Sequence, residues 1–191
     1  LGLASLSTND TWIRDDGPLA TVNGTQLTVH DFIFDGWGGK YPATLDDRNS
    51  RTLHDTGYFG NVPLRRHPVV LEGGSIDTDG HGTLLTTSRC LLERGRSRGI
   101  GRAGMETLLH DSLGATRILW LDHGELAGDD TDGHVDMLAR FCSADTIAYT
   151  ACDRQDDPHY PSLEAMAKQL RGFAGTSGQP YRLVPLPLPA A

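Results

Sequence analysis

Apolar and polar positions alternate along the chain in a pattern that recurs with a spacing of roughly sixty residues. The middle copy is the plainest. Val69-Val70-Leu71-Glu72 is strand-like and leads through Gly73-Gly74 into Ser75-Ile76-Asp77. A polar turn, Asp79-Gly80-His81-Gly82, then connects to Thr83-Leu84-Leu85-Thr86-Thr87, which predicts a hairpin. Beyond a segment rich in arginine and glycine, Ala103 to Leu113 carries apolar residues at helical spacing and stops at Gly114. Arg117 to Leu121 reads as a buried strand.

The last copy follows the same plan. His134 to Phe141 and Thr146 to Tyr149 predict a hairpin turning through Ser143-Ala144-Asp145. A helix starting at Ser162 places Leu163, Met166, Ala167 and Leu170 on one face, with Glu164 and Lys168 as an i,i+4 pair outside. It ends near Gly172, Tyr181 to Val184 resumes as strand, and the proline-rich tail 185–189 is unsuited to a central strand. In the first copy, Leu19 to Val22 and Gln26 to Val29 pair across Asn23-Gly24, and the helical piece spans Asp46 to Gly57 with weak periodicity. Strand, hairpin, helix and strand thus recur over about 9–70, 71–128 and 129–191. This points to an α/β repeat architecture, with no G-x-G-x-x-G in the context of a dinucleotide-binding sheet.

Three polar segments sit near the start of the three copies: Asn9 to Asp15, Leu71 to Ser75, and Asp129 to Asp136. Equivalent positions of a repeat fold converge, so Asp15, Glu72, His134 and Asp136 are candidates for one pocket. On a strand, His134 and Asp136 would share a face because the period is two. Carboxylates and an imidazole around one cavity need something positive between them, and a planar guanidinium presents a rigid fork that carboxylates pair with bidentately. Trp12 would supply an aromatic wall for the cation. Each segment alone also has a plainer reading: Asp15 and Asp16 as a turn start, Glu72 as a bulge residue, Asp129 to Asp132 as a solvated loop, His134 as a structural histidine.

Composition narrows the partners. The 191 residues carry a net charge of −8, from 25 acidic and 17 basic side chains, which favours a small cation over nucleic acid. The one basic cluster, Arg94, Arg96, Arg98 and Arg102, lies among glycines and reads as a mobile surface loop. No apolar run approaches the roughly 20 residues of a membrane span, so no membrane partner is expected. The chain opens at Leu1, not methionine, which reads as a partial sequence, so the absent leader says little about export. Cys90, Cys142 and Cys152 are too few and irregular for a disulfide framework or a zinc ribbon. They read as small buried hydrophobes in a reducing, cytoplasmic setting. A metal-dependent hydrolase built on His134, Asp136 and Asp129 or His123 is a weaker alternative, since no H-E-x-x-H or EF-hand spacing is present.

Together, Asn9 to Pro18 (NDTWIRDDGP), Gly36 to Tyr41 (GWGGKY), Leu71 to Ile76 (LEGGSI), Gly82 to Thr87 (GTLLTT) and Asp129 to Asp136 (DDTDGHVD) resemble the agmatine deiminase family. That family also includes bacterial peptidylarginine deiminases. The resemblance spans nearly all of this chain and about the middle half of a family member. It implies a pentein, a fan of five ββαβ-type blades, of which this chain would supply about three within one partial catalytic domain.

It further implies that Asp15 and Asp136 hold the guanidinium, that Glu72 is a further substrate contact in the catalytic set, that His134 is general base and acid, and that Trp12 closes over the substrate. A cysteine thiolate would attack the guanidinium carbon of agmatine, or alternatively of an arginine side chain. Ammonia would leave, and hydrolysis of the amidino intermediate would give a ureido product, N-carbamoylputrescine in the case of agmatine, linking the protein to putrescine biosynthesis. No cofactor is implied. The family's nucleophile lies in a glycine-rich segment further downstream, which none of the three cysteines resembles. Cys142, placed by strand parity on the face of His134, is a poor substitute. The chain as written is therefore expected to bind weakly without turnover, as a guanidinium-binding fragment, and open blade edges would seek partners, as in a homo-oligomer.

Overall fold

The structure, a computed structural model, describes residues 3–97 and 99–189. Its strands are β1 (Leu19–Asn23), β2 (Gln26–Ile33), β3 (Leu64–Val70), β4 (Ile76–Thr78), β5 (Thr83–Thr87), β6 (Arg117–Leu121), β7 (Ala139–Ser143), β8 (Thr146–Ala151) and β9 (Arg182–Pro187). The helices are α1 (Ile13–Asp16), α2 (Gly36–Gly39), α3 (Asn49–Asp55), α4 (Ser88–Leu91), α5 (Arg94–Ser97), α6 (Arg102–Leu113) and α7 (Tyr160–Arg171). This is a mixed α/β fold.

The strands form three sheets of three, in the orders β1-β2-β3, β4-β5-β6 and β7-β8-β9. In each, an antiparallel hairpin is followed by a crossover containing helix and a third strand parallel to the second. A parallel partner cannot be reached by a tight turn, which is why each crossover carries a helix. The chain divides into two compact units, Leu1–Gly73 with Leu92–Gly114, and Gly74–Leu91 with Ala115–Ala191.

The first unit holds β1, β2 and β3. Asn23 pairs with Gln26, so the turn residues are Gly24 and Thr25, one position on from the expected Asn23-Gly24. Gly24 has φ +61 as the first central residue, where a II′ turn takes glycine. β3 ends at Val70 and pairs with β2, so Leu71 and Glu72 lie outside any strand, in contrast to the expected strand 69–72. The expected helix 46–57 divides into a 3-10 turn, Asp46–Arg48, followed by α3. α6 starts one residue before the expected Ala103 and ends at Leu113 as expected, with Gly114 left-handed at its C-terminus (φ +71), and buries Met105 and Leu109. The arginine cluster is corrected as well. Arg96 is 3% exposed, on the single turn α5, while Arg98 lies outside the described residues. Glycines alone suggested a mobile loop; a buried acidic partner overrides that signal.

The second unit is built on a larger core. Leu85 of β5, Leu119 and Leu121 of β6 and Ile147 of β8 pack with Leu163, Met166, Ala167 and Leu170, the face predicted for α7. Full burial of side chains such as Leu163 or Leu170 contributes roughly 1.5–3 kcal/mol each. Outside that face, Glu164 accepts from Arg171 at 2.6 Å, one turn beyond the expected Lys168. β9 is an edge strand and tolerates Pro185 and Pro187 there. Two expectations fail. His134 to Leu138 is not strand, because a 3-10 turn, Val135–Met137, precedes β7. Cys142 is exposed at a register shift between Phe141 and Ser143, which voids the parity argument. Cys90 is buried as expected and Cys152 half-buried. Among the described residues, no helix is long and apolar enough to cross a membrane.

Candidate functional site

In the first unit the acidic candidates sit on turns. Trp12 caps α1: its carbonyl accepts the Asp15 N–H at 2.8 Å, and its ring remains 60% exposed. Asp15 and Asp16, each 7% exposed, point into the protein from this single turn. Asp46, fully buried, pins the approach by accepting the backbone N–H of Asn9 at 2.6 Å and of Asp10 at 3.2 Å. Asn9 Oδ1 returns the tie by accepting the Leu45 N–H at 2.8 Å.

The two aspartates have different partners. Asp15 Oδ2 accepts from the indole Nε1 of Trp37 at 3.0 Å. Asp16 Oδ1 accepts from Asn49 Nδ2 at 2.8 Å. Burial raises the Asp16 carboxyl to about 6; the Asn49 bond opposes this, while Asp46, Asp15 and Asp10 add to it.

Trp37 is held in an unusual way. It has φ +59, within a turn flanked by Gly36, Gly38 and Gly39 at φ +73, +79 and +81. A left-handed non-glycine residue costs on the order of 1–3 kcal/mol and persists only where its surroundings hold it. Here Asp35 Oδ1 accepts the Gly38 N–H at 2.8 Å, and the indole stands edge-on to Phe34 (5.0 Å) and Tyr41 (5.7 Å). The GWGGKY stretch is thus a device for aiming one indole N–H at Asp15.

Glu72 is 1% exposed and pairs with Arg96, whose Nε donates to Oε1 at 2.9 Å. The adjacent Gly73 is required by packing, since a Cβ there would lie 2.0 Å from the Arg14 carbonyl oxygen. Glu72 is thereby fixed in place against the same turn that carries Asp15.

In the second unit His134 is 1% exposed and immediately precedes the 3-10 turn that carries the half-buried Asp136. The facing atoms of His134 and Asp136, and those of His134 and Cys90, lie within 4.8 Å. The loop before them is organised by Asp129. Its Oδ1 accepts from the Thr131 N–H (2.9 Å) and hydroxyl (2.5 Å), and its Oδ2 from the Gly133 N–H at 2.8 Å. Thr131 Oγ1 in turn accepts the His134 N–H at 3.1 Å. Thr87 closes the loop by donating to the Gly133 carbonyl at 2.6 Å. A stretch with four aspartates in eight residues reads as solvated, yet Asp129 is an internal anchor.

Sequence reasoning named Trp12, Asp15, Glu72, His134 and Asp136, and missed Trp37, Arg96 and Asp129 as their supports. The glycine cluster around Trp37 was the available signal for the first. No local signal marks Arg96.

The candidates are thus buried or half-buried ionisable groups held on turns of a mixed α/β fold, with Trp12 exposed beside Asp15. A family model, Porphyromonas-type peptidyl-arginine deiminase, matches residues 1–191, and the chain belongs to that family. Agmatine deiminase of Ectopseudomonas mendocina (strain ymp) is 35% identical over 193 residues, covering 98% of this chain and 52% of that protein. Among solved structures, a protein provisionally assigned as a peptidyl-arginine deiminase is 46% identical with a TM-score of 0.94, over 98% of this chain and 56% of that one. A cysteine-to-serine variant of C. jejuni agmatine deiminase with substrate bound is 37% identical with a TM-score of 0.89, over 98% and 54%. The chain spans about half the length of the curated relatives it matches.

Proposed function

We propose that the protein is a hydrolase of C–N bonds in linear amidines, acting as an agmatine deiminase. It would convert the guanidinium to a ureido group, giving N-carbamoylputrescine and ammonia. The observation that carries the reading is the burial of Asp15, Glu72 and His134 at 7%, 1% and 1% exposure, each outside the strands. Burying ionisable groups is costly, and turns that hold them with dedicated partners suit a cationic ligand better than they suit stability.

In this reading Asp15 and Asp136 take the guanidinium N–H groups, and Glu72 makes a further contact. Trp12, exposed on α1, covers the ligand face. His134 shuttles the proton, first toward the departing ammonia and then from the hydrolytic water. The attacking thiolate belongs to the family's glycine-rich segment. Residues 1–191, with no cysteine of that kind, would bind the guanidinium without turning it over. The three sheets are, on this reading, blades of a pentein fan, in a single catalytic domain with units near 9–70, 71–128 and 129–191. No cofactor enters the reaction, and a cytoplasmic homo-oligomer is the proposed setting.

The family description supports a second substrate, the arginine side chain of a peptide. Ureido product formed by the full-length protein from agmatine and from an arginyl peptide separates the two. Turnover of agmatine is the expected result; turnover of the peptide alone would transfer the assignment, and turnover of neither would remove it.

A further inference from the structure

Arg96 has no place in the proposed reaction, yet among the described residues of the first unit it is a deeply buried cation with an acidic partner. Its side chain is 2% exposed and that of Glu72 is fully buried, with Nε donating to Oε1 at 2.9 Å. The side chain is delivered by α5, a single turn tied to Glu93. Glu93 Oε2 accepts the N–H groups of Gly95 (2.6 Å) and Arg96 (3.1 Å), and its carbonyl accepts the Ser97 N–H at 2.8 Å. The guanidinium also lies beneath the left-handed turn that aims Trp37 at Asp15. A Cβ built on Gly38 would sit 3.8 Å from Cζ and Nη1 of Arg96. One side chain therefore touches Glu72 directly and lies near the turn that carries Trp37.

We propose that Arg96 is a positioning residue for the guanidinium-binding carboxylates, holding Glu72 in a fixed orientation. The inference rests on the reading in which Glu72 contacts the substrate guanidinium. A buried ion pair is a poor way to gain stability, because desolvation offsets most of the attraction. A planar guanidinium nevertheless sets the direction of a carboxylate, which an ammonium or an apolar side chain does not. Arg96 would act as a permanent internal cation that fixes Glu72 before the substrate's own guanidinium arrives.

The test uses Arg96→Met, Arg96→Lys and Glu72→Gln in the full-length protein. Agmatine kcat and KM are measured from acid to alkaline pH, alongside melting temperature. Arg96→Met is expected to lower kcat/KM on the order of a hundredfold per folded molecule, as a misplaced contact does. Arg96→Lys should recover part of the lost kcat and keep a raised KM, since charge remains while the fork is lost. If Arg96→Met does not fold, the raised KM of Arg96→Lys carries the test. Wild-type kcat, KM and pH profile in the folded Arg96 variants, with only a lower melting temperature, would overturn the inference and leave a structural ion pair. Glu72→Gln separates this from failure of the underlying reading: wild-type kinetics in that variant would remove the role of Glu72 itself.

Discussion

Trp37 donates one hydrogen bond to Asp15 Oδ2 at 3.0 Å, and on the proposed reading its loss should be felt more in binding than in folding. Trp37→Phe keeps the edge-on ring contacts to Phe34 and Tyr41 but removes the N–H donated to Asp15 Oδ2. A stability loss of about 1 kcal/mol is expected, with a clear rise in the dissociation constant for agmatine measured by calorimetry. Unchanged affinity would argue that Asp15 is oriented by other contacts. Its neighbour Asp16 makes a prediction with pH. Its folded value of about 6 lies above the ordinary 3.8, so the folded state keeps that proton longer than the unfolded chain does. The group therefore favours folding below pH 3.8, and the benefit is gone once pH has risen through 6. Asp16→Asn retains an oxygen for Asn49 and should raise the melting temperature at neutral pH, with little effect below pH 3.8.

Elements, more than individual contacts, hold the histidines. The loop 129–133 depends on Asp129, which accepts three of its hydrogen bonds. Asp129→Ala should leave the core of the second unit folded while speeding amide exchange in residues 131–134, read by mass spectrometry. Exchange as slow as in the parent would show that contacts other than those of Asp129 hold the loop. In the sheet of the first unit, His30 on β2 bonds Thr21 Oγ1 through Nε2 (2.8 Å) and His67 on β3 through Nδ1 (2.9 Å). Burial, then the neighbouring His67 and Arg65, lowers His30 to about 4 from 6.5, and burial lowers His67 as well. The folded state thus excludes protons that the unfolded chain binds. The associated stability is fully present above pH 6.5 and is lost as pH falls through 4. Replacing both, as in His30→Gln with His67→Gln, should flatten the fall of melting temperature across that window.

At the scale of the chain, the net charge of −8 bears, on the proposed reading, on how a cation is gathered, not on which groups hold it. Raising salt from about 0.01 M to about 0.15 M shortens screening from about 30 Å to about 8 Å. Agmatine, a dication, should lose affinity severalfold over that range, and methylguanidine less; equal losses would show that the field of the whole chain does not discriminate by charge.

Local chemistry by itself determined the recurring hairpin, helix and third strand, the buried face of α7, the C-terminal stop at Gly114 and the identity of the acidic and histidine candidates. Each follows from periods, caps and side-chain types that act over a few residues. The strand assigned to His134 and Asp136 failed because alternation cannot distinguish a strand from a 3-10 turn over three residues, and Asp129 decides the backbone there from five residues upstream. Tertiary structure alone decided that Val70 ends the first unit's sheet and leaves Glu72 outside any strand, that Trp37 serves Asp15 across 22 residues, and that Arg96 leaves solvent for Glu72 across 24. Those pairings depend on chain segments brought together by packing, and no pattern confined to one segment encodes a partner in another.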